Sequence, residues 1–220
     1  MQLLDLLLPE RCAVCARPGV PLCDGCRVEL VRLAPPVCER CGSPGPWPVR
    51  RCAECSGRRL AFTRARAALV YDDRARRIVS VWKESGQKRL APIAASIVTG
   101  VLAAPDVDVL VPVPGDPERT RSRGRSTATG LANALGEHWS LPTRELLRRV
   151  RPLPRQRGLA LRERRENVRG SVAAVGAAPR SACVIDDVYT SGSTVDACAS
   201  ALRRAGARRV EVVTLARAVR

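Results

Sequence analysis

The sequence predicts an α/β protein in which a parallel sheet is flanked by helices and a small cysteine-rich region precedes it. Three observations carry that expectation. Short apolar runs such as Ala182-Cys183-Val184-Ile185 and 107–113 suit strands buried on both faces, and helical stretches separate them. Eight of the 10 cysteines recur as Cys-x-x-Cys pairs within the first 55 residues. A length of 220 residues leaves room for one α/β domain plus a small appendage. The expected division falls at 60/61, with the cysteine region in 1–60 and the α/β domain in 61–220.

In chain order, Met1 to Pro9 comes first and carries Leu3-Leu4 and Leu6-Leu7-Leu8, interrupted by Asp5. It has no basic flank and is too short for a signal peptide or membrane span, so a short amphipathic helix is expected. No other stretch approaches a membrane span. The expectation is a soluble, cytosolic chain with no membrane partner.

The pairs Cys12/Cys15, Cys23/Cys26, Cys38/Cys41 and Cys52/Cys55 follow. A Cys-x-x-Cys turn presents two thiolates to one side of a metal, and two such turns complete a tetrahedral zinc site. A disulfide module is the rival reading. The missing signal sequence and the fourfold repeat of one spacing argue against it. Two structural Zn2+ ions are therefore expected, with the pairs combined in series or interleaved, since both arrangements use the same residues. All eight thiolates are spent on closed sites, which argues against a catalytic zinc with an open position. So short a segment has almost no apolar core, and metal supplies its folding free energy, on the order of 10–16 kcal/mol per site. Loss of Cys38 is accordingly expected to unfold this region while leaving ligand affinity of the α/β domain intact.

Ala65 to Tyr71 reads as the strand leading out of the cysteine region. Asp73 to Leu102 is largely helical, with Ile78, Val81 and Trp82 on one face, Lys83 near the end of the first helix and Pro92 opening a second. Val107 to Val113 is the next strand. It runs into a basic, Gly- and Pro-rich loop that contains Arg119, Arg123 and Gly124, the position at which an open parallel sheet binds a pyrophosphate. Thr127 to Trp139 follows as a helix, with His138 near its end in a structural role. Arg148 to Arg169 is arginine-dense and reads as a solvated surface helix or a polyanion contact. Val210 to Ala216 closes the sheet, and Cys183 and Cys198 lack partners at metal spacing and read as buried thiols.

The chemistry concentrates in 182–194. The apolar run ends on two adjacent carboxylates, Asp186 and Asp187, where the strand is expected to stop. Thr190, Ser191, Gly192, Ser193 and Thr194 form a small loop opening into the helix that starts near Val195. A strand, a tight loop and a helix N-terminus aim free N–H groups and the positive end of a helix dipole at one spot, which suits a phosphate. The carboxylates suit the vicinal hydroxyls of a sugar. Together the pattern fits a ribose 5-phosphate.

The formal net charge is +17, and Lys83 and Lys88 are the only lysines among the basic residues. Such a charge attracts polyanions, whether small phosphorylated ligands, nucleic acid or acidic proteins. Aromatic residues make up 3% of the chain, which argues against a base-stacking surface.

The 182–194 segment resembles the phosphoribosyl-pyrophosphate (PRPP) motif of type I phosphoribosyltransferases: apolar residues, two acids, then T-x-G-x-T. The whole order resembles the ComF family of competence-associated proteins. The likeness runs through Pro9-x-x-Cys12, the Cys-x-x-Cys array, Tyr71, Lys83, Val111-Pro112-Val113-Pro114, Arg123-Gly124, Gln156-x-x-Leu159 and Asn167-Val168-Arg169-Gly170 to the PRPP-like loop. The resemblance implies a double zinc ribbon ahead of a type I phosphoribosyltransferase-like sheet, and a role in uptake or processing of transforming DNA. It implies catalytic Asp186 and Asp187 on the ribose, Thr190 to Thr194 on the 5-phosphate, and Arg119, Arg123, Gly124 and Lys83 completing PRPP binding, with Mg2+ bound alongside PRPP. One departure stands out: Arg125-Ser126-Thr127 follows Arg123-Gly124 where the family usually has Phe-Asn-Gln. A protein-interaction scaffold with a vestigial loop is the bland reading, and two further functions are compatible with the pattern. One is a phosphoribosyltransferase. The other is a non-catalytic nucleotide sensor whose ribbon and arginines bind single-stranded DNA or a competence helicase-like protein.

Overall fold

A computed structural model describes residues 10–85, 89–115, 126–150 and 170–219. Its elements, in chain order, are α1 (Asp24–Val28), β1 (Arg64–Val70), α2 (Asp73–Ser85), α3 (Leu90–Thr99), β2 (Leu110–Pro112), α4 (Thr127–Trp139), β3 (Leu147–Arg149), β4 (Val172–Ala174), β5 (Ser181–Tyr189), α5 (Ser193–Arg204) and β6 (Arg209–Arg217). Four strands form one sheet in the order β1-β6-β5-β2, every neighbouring pair parallel. The expected parallel α/β architecture with a cysteine region before it is the one found.

Alternation along the strands sends side chains to two separate cores. Cys183 and Ile185 of β5 and Val213 and Leu215 of β6 join α2, α3 and α4 through Ile78, Trp82, Leu90, Leu131 and Leu135. Ala182 and Val184, with Val210 and Val212, point the other way and meet Val195, Cys198 and Leu202 of α5. Both faces of the sheet are thus covered, as all-parallel sheets require. Cys183 and Cys198 are the expected buried thiols, and burial pushes both of their pKa values upward.

The cysteine region is shared between these two cores. Cys12, Leu22, Cys26 and Leu30 pack into the first, and Cys38, Cys41, Cys55, Leu60 and Phe62 into the second. Its backbone also covers the free edge of β1. Leu33 N–H donates to the Ala68 carbonyl at 2.8 Å, Val70 N–H to Val31 at 2.9 Å and Ala65 N–H to Arg40 at 2.9 Å. An open strand edge is a template for unwanted pairing, and this segment occupies it. The region lacks a core of its own and borrows that of the sheet.

Three expectations need correction in detail. The strand expected at 107–113 is regular only over 110–112, although Asp108, Val109 and Val113 also share backbone hydrogen bonds with β5 and the Asp108 carboxylate accepts the Ser181 N–H at 2.7 Å. Pro92 falls at the third position of α3 and not at its start. It does no harm there, since first-turn amides have no helical acceptor. The β3–β4 antiparallel pair was not anticipated, being two three-residue strands of weak pattern. The leucine-rich start, the loop with Arg119, Arg123 and Gly124, and 151–169 of the arginine-dense segment lie outside the described residues.

Candidate functional site

The strand carrying the two acids does not stop at them. β5 continues through Tyr189, with Asp186 registered against Thr214, Val188 against Ala216 and Tyr189 against Arg217 of β6. The ladder with β6 supplies partners for two residues past the acids, Val188 and Tyr189, which outweighs the poor strand propensity of aspartate. One consequence is geometric. Consecutive strand residues face opposite sides, so the two carboxylates are divided between the two layers.

Asp187 faces α2 and α4. Its Oδ1 accepts from Lys83 Nζ at 2.8 Å and its Oδ2 from the Thr127 hydroxyl at the first turn of α4. Burial works against the Lys83 charge, but Asp187 beside it outweighs that and raises the pKa of the ammonium. Asp186 is half-buried, and its Oδ1 accepts the Asp187 N–H at 2.9 Å. Burial and then the neighbouring Asp187 push its pKa up to about 7, against the opposing pull of Lys83 and Arg149. The pair therefore sets a carboxyl held by two side-chain donors beside one that titrates near neutrality.

Beyond Tyr189 the chain turns through Thr190, Ser191 and Gly192 into α5. Gly192 takes φ +71° at the N-cap, and a Cβ there would overlap the Tyr189 ring, so the turn requires glycine twice over. The Ser191 and Ser193 hydroxyls lie 2.8 Å apart. The first amides of α5 have no acceptor one turn back, and the dipole of this 12-residue helix is positive at the same end. The structure thus brings Asp186, Asp187, Lys83 and the 190–194 loop to the carboxyl end of β5, where open α/β sheets bind ligands. Sequence reasoning gave no site role to Thr127 and did not single out Arg149. The resemblance had placed Thr127 in a departing motif, and Arg149 sits on the unanticipated β3.

The eight cysteines form two clusters, Cys12/Cys15/Cys23/Cys26 and Cys38/Cys41/Cys52/Cys55, each with its sulfurs within 4.8 Å of one another. The pairs therefore combine in series. Four sulfurs at 2.3 Å from one tetrahedral ion stand about 3.8 Å apart. The observed separations are 3.8 Å for Cys15–Cys23, 3.6 Å for Cys38–Cys55, 3.4 Å for Cys41–Cys52 and 3.9 Å for Cys52–Cys55. Both clusters fit structural zinc. Burial opposes ionisation of Cys38, yet backbone N–H groups of Cys41, Cys52 and Arg40 lower its pKa to about 7, and Cys12 is lowered likewise to about 6. One thiol of each cluster is thus held toward its thiolate, while burial and the neighbouring sulfurs push Cys26 and Cys55 up, to about 12 and about 11. Gly42 closes the turn after Cys41 at φ +71°, where a Cβ would sit 2.5 Å from the Ala65 carbonyl oxygen.

At the opposite end of the sheet lies an open cleft of about 980 Å³. Arg40, Arg50, Arg51, Arg64, Arg66 and Arg209 line it, with Glu39, Asp106 and Glu211. Arg64 pairs with Glu211 and Arg209 with Asp106, each at 2.8 Å. His138 is exposed at the end of α4. Among the described residues no helix is long and apolar enough to cross a membrane.

Residues 3–57 match the double zinc ribbon domain family. Competence protein F of Haemophilus influenzae is 25% identical over 211 residues, covering 90% of this chain and 90% of its own length. DNA utilization protein YhgH of Salmonella typhi is 28% identical over 228 residues, covering 96% of this chain and 99% of its own. Among solved structures, the glutamine PRPP amidotransferase from B. subtilis superimposes with a TM-score of 0.38 at 24% identity over 59% of this chain. That match takes in 26% of the amidotransferase chain.

Proposed function

We infer, for a chain that belongs to the ComF family of competence-associated proteins, that the carboxyl end of β5 holds PRPP or a related ribose 5-phosphate ligand. The observation that carries the reading is one continuous segment. Two carboxylates on the central strand lead through the left-handed Gly192 turn straight into the N-terminus of α5. In this reading the 5-phosphate lies against Thr190, Ser191, Gly192, Ser193 and Thr194, and ribose hydroxyls donate to Asp186 and Asp187. Lys83 pairs with Asp187 and aims it. Arg119, Arg123 and Gly124 meet the pyrophosphate, and Mg2+ arrives with the ligand's own oxygens. The chain's contribution is positioning and charge complementarity, whether the ligand is turned over or sensed. The zinc ribbon at 1–60 and the phosphoribosyltransferase-like domain at 61–220 work as one protein in DNA uptake, a role that the likeness to competence protein F supports.

A second reading concerns the charge. The arginine cleft at the far end of the sheet supports contact with the phosphates of single-stranded nucleic acid, away from the ribose site.

Isothermal titration of PRPP with and without Mg2+, followed by a pyrophosphate-release assay, tests the primary reading. Saturable binding is expected. Release marks a transferase and binding without release a sensor, while an absence of binding refutes the ribose-phosphate site.

A further inference from the structure

The 190–194 loop and the first turn of α5 rest on residues that follow the second cysteine cluster in the chain. Arg58, three positions after Cys55, donates from Nη1 to the Ser191 carbonyl at 3.0 Å. A peptide unit is planar and trans, so its carbonyl and the following N–H point in opposite directions. Holding the Ser191 carbonyl on Arg58 therefore turns the Gly192 N–H away from the ribbon. The Ala61 N–H donates to Asp196 Oδ1 at 2.7 Å and fixes the first turn of α5 from the same side.

A second path runs through the sheet. Arg217, at 1% exposure, donates from Nη1 to the Cys41 carbonyl at 2.7 Å, places Nη2 3.8 Å from Cys41 Sγ and pairs with Glu54 at 2.6 Å. Its guanidinium stacks on the Tyr189 ring, with Cζ 4.3 Å from the centroid. Tyr189 in turn fills the space against Gly192. Cys41, Arg217, Tyr189 and Gly192 thus touch in succession, from a metal-ligand turn to the N-cap of α5. The first cluster packs into the core on the other face of the sheet.

We propose that the second cysteine cluster, acting through Arg58 and the Arg217–Tyr189 pair as positioning residues, sets the anion-binding shape of the 190–194 loop, and that the first cluster does not. The proposal rests on the reading that this loop holds a phosphate. It overturns the expected independence of the α/β domain's ligand affinity from Cys38. Metal at Cys38, Cys41, Cys52 and Cys55 then governs affinity through chain geometry, with no direct contact to the ligand.

The test is amide hydrogen exchange at Gly192 to Thr194 in the full-length, zinc-loaded protein without ligand, paired with titration of inorganic phosphate. Arg58→Ala should speed exchange there by about tenfold and weaken phosphate by a similar factor, while exchange in α4 holds. Arg58→Lys, which keeps the charge and a donor, should restore most of both. Cys38→Ser should reproduce the loop signature, and Cys12→Ser, which disables the other cluster, should leave loop exchange unchanged. Should Cys38→Ser fail to fold, the Arg58 pair decides. Unchanged loop exchange in both Arg58→Ala and Tyr189→Leu overturns the proposal, as does equal loosening by Cys12→Ser and Cys38→Ser. Exchange is read without ligand, so it decides the bracing even where phosphate fails to bind the wild-type chain, an outcome that defeats the ligand reading alone.

Discussion

Lys83 Nζ lies 2.8 Å from Asp187 Oδ1 although 104 positions separate the two residues. Asp186, next in sequence to Asp187, faces the other layer of the sheet. Adjacent acids in sequence are thus unequal in structure: one is neutralised by a cation, and the other is left to carry the cost of burial.

That inequality separates two substitutions. The pKa of Asp186 is raised to about 7 in the fold, so the native state holds a proton that the unfolded chain releases at lower pH. Its contribution to stability is therefore lost as pH rises from about 4 to about 7, by up to roughly 4 kcal/mol. Asp186→Asn should stabilise the protein at pH 8 and flatten this part of the profile. Asp187→Asn removes a charged partner from Lys83 and should cost about 1–3 kcal/mol at pH 8. Urea unfolding of both variants at pH 5 and pH 8 checks the pair of signs, and the same sign for both at pH 8 would contradict them.

Metal analysis should find about two zincs per chain, one for each set of four thiolates. Because the clusters are in series, Cys12→Ser and Cys38→Ser should each lower the content by one ion and leave the other site filled. Loss of both ions from either variant would point to shared ligands. Chelation should lower the melting temperature, and since the ribbon shares both sheet cores, the effect should spread beyond 1–60.

Binding of single-stranded DNA should weaken steeply with salt and show little sequence preference. Arg50→Ala with Arg51→Ala should reduce the salt slope by about 1.4, taking roughly 0.7 per lost phosphate contact on a single strand. Replacing Arg162, Arg164 and Arg165 provides the comparison. A drop confined to that triple moves the contact from the cleft to the arginine-dense segment, and salt-independent binding rules out a phosphate interface.

Much of this was legible because it depends on local pattern. Thr127–Trp139 and the strand near Ala65 follow from periodicity, and the zinc sites from one repeated spacing. The grouping of the cysteines was not legible, since series and interleaved arrangements use the same residues and only the packing on the sheet selects one. Nor was the extension of β5 past its acids, which depends on β6 lying beside it. Arg58, Tyr189 and Arg217 escaped notice for the same reason. An arginine after a zinc knuckle and one in a last strand carry no local signal until folding brings both beside the 190–194 loop.

In the proposed site the acids read a sugar while the loop after them holds its phosphate. The most direct measurement compares ribose 5-phosphate with inorganic phosphate on the Asp186→Asn, Asp187→Asn double variant at pH 8. Affinity for ribose 5-phosphate should fall by about 1.5–3 kcal/mol for each charged hydrogen bond lost, with inorganic phosphate bound nearly as in the wild type. Equal losses for the two ligands would contradict the claim and make the acids supports of the loop.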